Sequence, residues 1–241
     1  MTIESYFAKK NITIESSTKK ATPPVISSLS FNIANLYSHT KPFIQYIREC
    51  ITKKNFQFTF NIKSFSSVQQ QKMTELAYML DEHGILSMVH HDVKSANIYG
   101  RISSAPNIIN FITGGFLEIF TRCVAVNVLK TSAEIYNCDY EILTNVKIVN
   151  AAGEKHELDV VIRLGENVFI IEAKSGKFDP DHYRKVGKTL GFVPDKLLLL
   201  AADKAPDLCD SISYFYEYYT ANIETFRNSL IAMINDNLSN K

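Results

Sequence analysis

Two apolar runs, HELDVVIRL and NVFIIEAKS, flank the dipeptide Gly165-Glu166, and this pattern constrains the chain more than any other. A two-residue connection opening on glycine suits a tight β-hairpin of the type-II′ kind, and such a turn fixes the pairing of the strands it joins. Pairing Leu164 with Asn167 and counting outward puts Val161 opposite Ile170, Asp159 opposite Glu172 and Glu157 opposite Lys174. Directly opposed residues share a face. One face therefore carries Asp159, Glu172 and Lys174, while the other carries Leu158, Val160, Ile162, Phe169, Ile171 and Ala173 and reads as pure core.

The surroundings of the hairpin read as an α/β domain. Gly114-Gly115 leads into FLEIFTRCVAVNVLK, whose apolar residues cover most of a helix circumference, the mark of a buried helix. After a turn over residues 137–139 come three strand-like runs, the last two being the hairpin. DPDHYRKVGKTLG reads as a helix with Asp179 as N-cap, Pro180 in its first turn and Gly191 as terminator. KLLLLAA is a further buried strand, and residues 211–237 read as helical. The expectation for residues 111–241 is a mixed sheet flanked by helices.

Upstream, residues 1–30 read as an extended arm or short strand and then a loop at Pro23-Pro24. Residues 39–53 read as an amphipathic helix through Phe43, Ile47 and Ile51, and FQFTFNIKSF alternates like a half-buried strand. A helix over 68–82, closed by Gly84, precedes a short hairpin. Residues 1–110 thus form a small α+β region whose order of helix and hairpin resembles a winged-helix module.

Composition narrows the class of partner rather than naming it. With 26 Lys and Arg against 25 Asp and Glu, the net charge of +1 gives no global attraction for a polyanion, so a nucleic-acid surface must be a local patch. Cys50, Cys123, Cys138 and Cys209 are widely separated, with no zinc-ligand spacing, and read as reduced, mostly buried thiols. The N-terminus lacks the apolar run of a signal peptide, and the sequence offers no run of about eighteen apolar residues such as spans a bilayer. The expectation is a cytoplasmic protein without a membrane segment.

Two carboxylates on neighbouring strands repel, which raises a pKa unless a cation neutralises them. Mg²⁺ or Mn²⁺ does so through oxygen ligands while keeping waters in its shell, and lowers the pKa of a water it holds. Lys174, on the same face two residues beyond Glu172, can orient or deprotonate that water and stabilise charge growing on phosphorus. The chemistry indicated is phosphodiester hydrolysis. The helix that follows offers His182, Tyr183, Arg184, Lys185 and Lys188, with Lys177 just before it, a local basic run suited to a phosphate backbone.

Asp159 followed by Glu172-Ala173-Lys174 at the end of an apolar strand resembles the PD-(D/E)XK nuclease superfamily. With GGFLE at a helix start, ELDVVI, IIEAKSG and a strand after a basic helix, about ninety residues are similar to the nuclease domain of CRISPR-ancillary effectors that couple a CARF sensor to this fold. The resemblance implies a restriction-endonuclease-like fold and a metal-dependent endonuclease acting on DNA in preference to RNA, in prokaryotic antiviral defence. It implies a homodimer, since two sites cut two strands. It also implies that the matched Glu118 completes the acidic cluster with Asp159 and Glu172, and that Lys174 is catalytic. Two departures stand out: His156-Glu157-Leu158 replaces the proline or asparagine common near the aspartate, and the stretch before Thr113 lacks the repeated strand-helix pattern of a CARF domain. Activation by a cyclic oligoadenylate therefore does not carry over.

Simpler readings compete at each position. Glu172 and Lys174 could be the wet edge of an ordinary strand, Glu118 and Arg122 an i,i+4 salt bridge, and Glu157 a partner of Lys174. The basic residues over 182–188 could be the exposed side of a helix packed through Tyr183, Val186 and Leu190. A nuclease-like module that binds nucleic acid or a protein without cutting is the alternative function. The heptapeptide from His91 to Asn97, HDVKSAN, resembles the catalytic loop of protein kinases, but no glycine-rich nucleotide loop, V-A-I-K strand or D-F-G accompanies it.

Overall fold

A computed structural model describes residues 1–238 of the chain; the last three residues of the expected 111–241 segment lie outside the described residues. In chain order the elements are α1 (Ile3–Ala8), β1 (Thr13–Thr18), α2 (Pro24–Thr52), β2 (Gln57–Asn61), α3 (Ser67–Glu82), β3 (Leu86–Asp92), β4 (Asn97–Ile102) and α4 (Pro106–Asn110). A π-helical turn (Phe111–Gly115) follows, then α5 (Phe116–Ile135), β5 (Tyr140–Val149), β6 (Lys155–Leu164), β7 (Asn167–Lys174), α6 (Pro180–Thr189), β8 (Leu197–Ala201), α7 (Pro206–Tyr216), β9 (Tyr219–Ala221) and α8 (Phe226–Leu238).

The chain divides into two compact units, Met1–Ser27 with Leu117–Lys241, and Ser28–Phe116. The sequence reading placed residues 1–27 with the N-terminal region, whereas they belong to the later unit. The reason is pairing and packing: β1 joins β5 antiparallel, and Ile3 and Phe7 of α1 are fully buried in that unit's core.

The larger unit is built on a six-stranded sheet in the order β1-β5-β6-β7-β8-β9. The first four are antiparallel neighbours, and β7, β8 and β9 run parallel. Each parallel step needs a crossover, which α6 and α7 provide. Strand β8, Leu-Leu-Leu-Leu-Ala, is buried at every position, as a parallel strand covered on both faces should be. On one face Val161, Ile170, Leu197 and Leu199 pack with Tyr183, Phe192, Cys209 and Ile212. Val160, Ile162, Phe169 and Ile171 are fully buried as well. The fold is thus a mixed α/β sheet flanked by helices, as the sequence indicated. The tail expected to be one helix instead contains β9 between two helices.

In the smaller unit, β2, β4 and β3 form an antiparallel sheet in that order. Strand β2 alternates buried and exposed residues as read from its sequence. Phe43 of α2 packs against Phe58 and Phe60, with ring centroids 5.8 and 5.3 Å apart. The helix expected over 39–53 is the second half of α2, which continues through Pro42. The HDVKSAN segment is a hairpin connection: Asp92 accepts hydrogen bonds from the Lys94 N–H and the Ser95 hydroxyl and pairs with Asn97. An Asx-type turn explains its residues without any kinase chemistry.

All four cysteines are free, Cys50 and Cys209 being buried. One helical run, Pro106–Ile135, is long and apolar enough to cross a membrane by length and composition, which corrects the expectation that no segment is. Half of its most apolar window is buried inside the protein, Leu117, Ala125 and Leu129 among the most enclosed.

Candidate active site

The site grows from the β6–β7 hairpin. Gly165 has φ +58, as the first position of a type-II′ turn requires. The pairing runs from Leu164 with Asn167 through Val161 with Ile170 to Val160 with Ile171, the register read from the turn. Beyond that point side chains replace the ladder. The Ala173 N–H donates to Asp159 Oδ2 at 2.8 Å, and the Asp159 N–H donates to Glu172 Oε1 at 3.4 Å.

The neighbouring strand shows why the regular pattern stops there. Asn145 of β5 has φ +50, a left-handed conformation that asparagine tolerates, and lies between the pairs Thr144–Val160 and Val146–Leu158. Side-chain alternation slips across this point, so Leu143 and Val146 share one cluster, and Leu158 joins Val161 within it. Leu158 therefore does not lie with Val160 and Ile162, as strict alternation had indicated. The irregularity sits beside Asp159, and β-sheet irregularities of this kind re-aim side chains next to functional sites.

Asp159 and Glu172 are only 8% and 6% exposed. Lys174 Nζ lies 3.1 Å from Asp159 Oδ2 and 3.4 Å from Glu172 Oε2, so one ammonium serves both carboxylates. Burial pushes the Glu172 carboxyl up to about 8, and the Asp159 charge adds to this while Lys174 opposes it. Burial alone would lower the Lys174 ammonium, but Asp159 and Glu172 outweigh it and hold the pKa above its ordinary range. Three ionisable groups thus meet at the end of the hairpin, with one positive charge against two potential negative ones. A buried carboxyl shifted by burial and by specific charge partners makes this cluster a candidate functional site.

Glu118, near the start of α5, is half-buried, and its carboxyl is pushed up by burial and then by the Asp159 charge. It makes no ion pair with Arg122 among the described residues, which removes the salt-bridge reading. Nor do three His, Cys, Asp or Glu side chains gather closely enough to hold a metal ion among the described residues. The donors that do meet, two carboxylates, are hard oxygen ligands of the type Mg²⁺ and Mn²⁺ prefer, and Glu172's resistance to ionising beside Asp159 is what a cation relieves. The donor chemistry fits such an ion. Glu157 is exposed and stands opposite Lys147 of β5, while Lys174 turns to Asp159 and Glu172; Glu157 is not the lysine's partner.

Helix α6 has the ends read from the sequence: the Asp179 side chain accepts from the Asp181 N–H, Pro180 opens the helix, and Gly191 follows it at φ +65. Its residues expected to meet nucleic acid, with Lys177 just before it, divide into three groups. Tyr183 is buried, with its phenol pushed up to about 12 by burial, and packs in the core cluster with Val161 and Ile170. Arg184 and Lys185 are both paired with Asp181, at 3.0 and 2.7 Å. Lys177, His182 and Lys188 are exposed. The Ala173 N–H that anchors Asp159 is not legible in the sequence, since a backbone donor leaves no mark in residue identity.

The class that this architecture defines is a mixed α/β fold with an Asp-Glu-Lys cluster at the open end of a hairpin. Two solved structures share the fold. Protein VC1899 from Vibrio cholerae superposes with a TM-score of 0.64 at 13% identity, over 99% of this chain and 62% of that one. Can2 from Sulfobacillus thermosulfidooxidans, in complex with cyclic tetra-adenylate, superposes with a TM-score of 0.66 at 15% identity, over 98% of this chain and 62% of that one. The chain thus spans less than two thirds of the length of either protein. No protein-family model matches the chain, and a search of curated proteins gave no match.

Proposed function

We propose that the larger unit is a metal-dependent nuclease of the PD-(D/E)XK kind, an endonuclease of DNA with RNA as the second candidate. The observation that carries this reading is the buried contact of Lys174 with both Asp159 and Glu172. Asp159 and Glu172 would hold Mg²⁺ or Mn²⁺, with Glu118 contributing from α5. The ion supplies positive charge against the phosphate and lowers the pKa of water. Lys174, beside both carboxylates, would orient or deprotonate the attacking water and stabilise charge on the phosphoryl oxygens. Lys177 and Lys188 steer the phosphate backbone. A homodimer in prokaryotic defence follows from the resemblance to CARF-linked effectors, and the fold is one shared with Can2, a protein solved with cyclic tetra-adenylate.

A catalytically silent, nucleic-acid-binding or protein-binding module is the second reading. It is favoured by the lack of a three-ligand cluster among the described residues and by Lys174 already neutralising the carboxylates. Incubation with supercoiled plasmid, linear duplex, single-stranded DNA and RNA, in Mn²⁺, Mg²⁺ or EDTA, separates the two. Metal-dependent cutting that disappears in a Glu172→Ala, Lys174→Ala variant is expected. If nothing is cut and calorimetric Mn²⁺ titrations of wild type and Asp159→Ala coincide, the silent module is the better account.

A further inference from the structure

Between the sheet and α6 lies a cavity of about 260 Å³ that the nuclease reading does not use. Leu158, Ile170 and Leu197 line it from the strands, and Tyr183, Val186 and Gly187 from the helix. Glu172 also lines it, so the cavity reaches the proposed catalytic carboxylate. Lys155, His156, Glu157 and His182 bring polar groups to the same lining. An ideal Cβ on Gly187 would meet nothing within 4 Å, so this stretch of helix faces open space.

The size and lining indicate what fits. The volume is below the roughly 300–1,000 Å³ of pockets that take drug-sized ligands, and suits a single flat ring system. Apolar and aromatic walls with hydrogen-bonding groups at the side are the features that receive an unstacked base, its faces packed and its edge hydrogen-bonded. Lys188, exposed on the same helix, offers a positive charge to a phosphate chain.

We propose that this cavity receives one nucleobase of the substrate, adjacent to the phosphodiester that is cut; the inference rests on the nuclease reading above. A base stacked within a duplex cannot enter such a cavity, so the substrate is single-stranded or locally opened nucleic acid. Gly187 is the residue that keeps the space free.

The test uses end-labelled single-stranded DNA and RNA oligonucleotides and the matching duplexes, with one abasic residue moved through successive positions. In Mn²⁺ the intact protein is expected to cut single strands in preference to duplex, and an abasic residue at one position beside the cut is expected to lower kcat/KM on the order of ten-fold. Gly187→Leu fills the cavity, and leaving glycine favours the helix, so the variant should fold, as thermal unfolding will confirm. It is expected to cut the normal oligonucleotide as slowly as the abasic one, with Gly187→Ala in between. Equal cutting with the abasic residue at every position overturns the cavity proposal and leaves the nuclease standing. So does a Gly187→Leu protein that keeps wild-type rates and position dependence. If plasmid is cut but no oligonucleotide is, the base site is overturned and the nuclease stands; if plasmid is not cut either, and the Mn²⁺ titrations of wild type and Asp159→Ala coincide, both readings are overturned.

Discussion

Asp159 accepts a hydrogen bond from the backbone N–H of Ala173, the residue between Glu172 and Lys174, at 2.8 Å. One carboxylate oxygen, Oδ2, thus ties the backbone of one strand and the ammonium of Lys174 to the neighbouring strand. Asp159→Asn keeps a carbonyl oxygen for the Ala173 N–H, whereas Asp159→Ala strands that donor and the lysine. The alanine variant should lose about 1–3 kcal/mol of stability, the usual cost of a buried group left unpaired, and the asparagine variant less. Both should lose cleavage. Urea titrations beside the nuclease assay check the split.

The two carboxylates are an unfavourable arrangement without a cation. In EDTA at neutral pH, Glu172→Gln should unfold at a higher temperature than wild type, because it removes a carboxyl that burial and Asp159 make hard to ionise. Added Mn²⁺ should raise the Tm of wild type and leave the variant unmoved. Thermal scans with and without metal decide this, and equal Mn²⁺ shifts for the two proteins would count against metal binding by Glu172.

The cations of α6 and of the loop before it should differ in their effect on binding. Lys177→Ala and Lys188→Ala are expected to weaken binding to all sequences alike, each reducing the slope of log K against log salt by about 1. Lys185→Ala should change the slope less, since its ammonium is paired with Asp181. Fluorescence anisotropy at several salt concentrations measures the slopes.

Arg163 is almost fully buried in β6 and makes two 2.8 Å hydrogen bonds to the exposed Asp139 carboxylate. Those bonds hold the Asp139 carboxyl below its ordinary value. A depressed folded pKa means that the folded protein releases this proton more readily than the unfolded chain does. Its contribution is therefore present above the unfolded value of about 3.9 and lost as pH falls through the lower folded value. Urea midpoints from pH 6 down to about 2.5 should show wild type losing its advantage over Asp139→Asn only in the acid part of that range. A constant difference across it would argue against the linkage.

Gly100 faces Phe58 across the β2–β4 pair, and a Cβ there would lie 2.8 Å from the phenyl ring. Phe58 is itself held against Phe43, so it cannot swing away freely. Gly100→Ala should destabilise the smaller unit by about 1–3 kcal/mol through overpacking, while Gly153→Ala, whose Cβ meets nothing, suffers only from its φ of +81. Denaturant unfolding of both variants gives the comparison.

What could be read from residue order alone was local. Gly165 fixed the hairpin and its register, Asp179, Pro180 and Gly191 fixed the ends of α6, and the alternation of FQFTF fixed β2, because turn geometry, capping and side-chain period act over a few residues. The trio of Asp159, Glu172 and Lys174 was legible for the same reason, being set by counting outward from one turn. Short strands without a period were not: β9 has three residues, and β1 has a mostly polar pattern that means nothing until β5 lies beside it. The Asn145 irregularity that turns Leu158 to the other face, the burial of Tyr183 and the pairing of Arg184 and Lys185 with Asp181 also came from the tertiary structure. Each depends on what a distant or facing segment offers, and a sequence does not state which of its apolar and charged surfaces will meet.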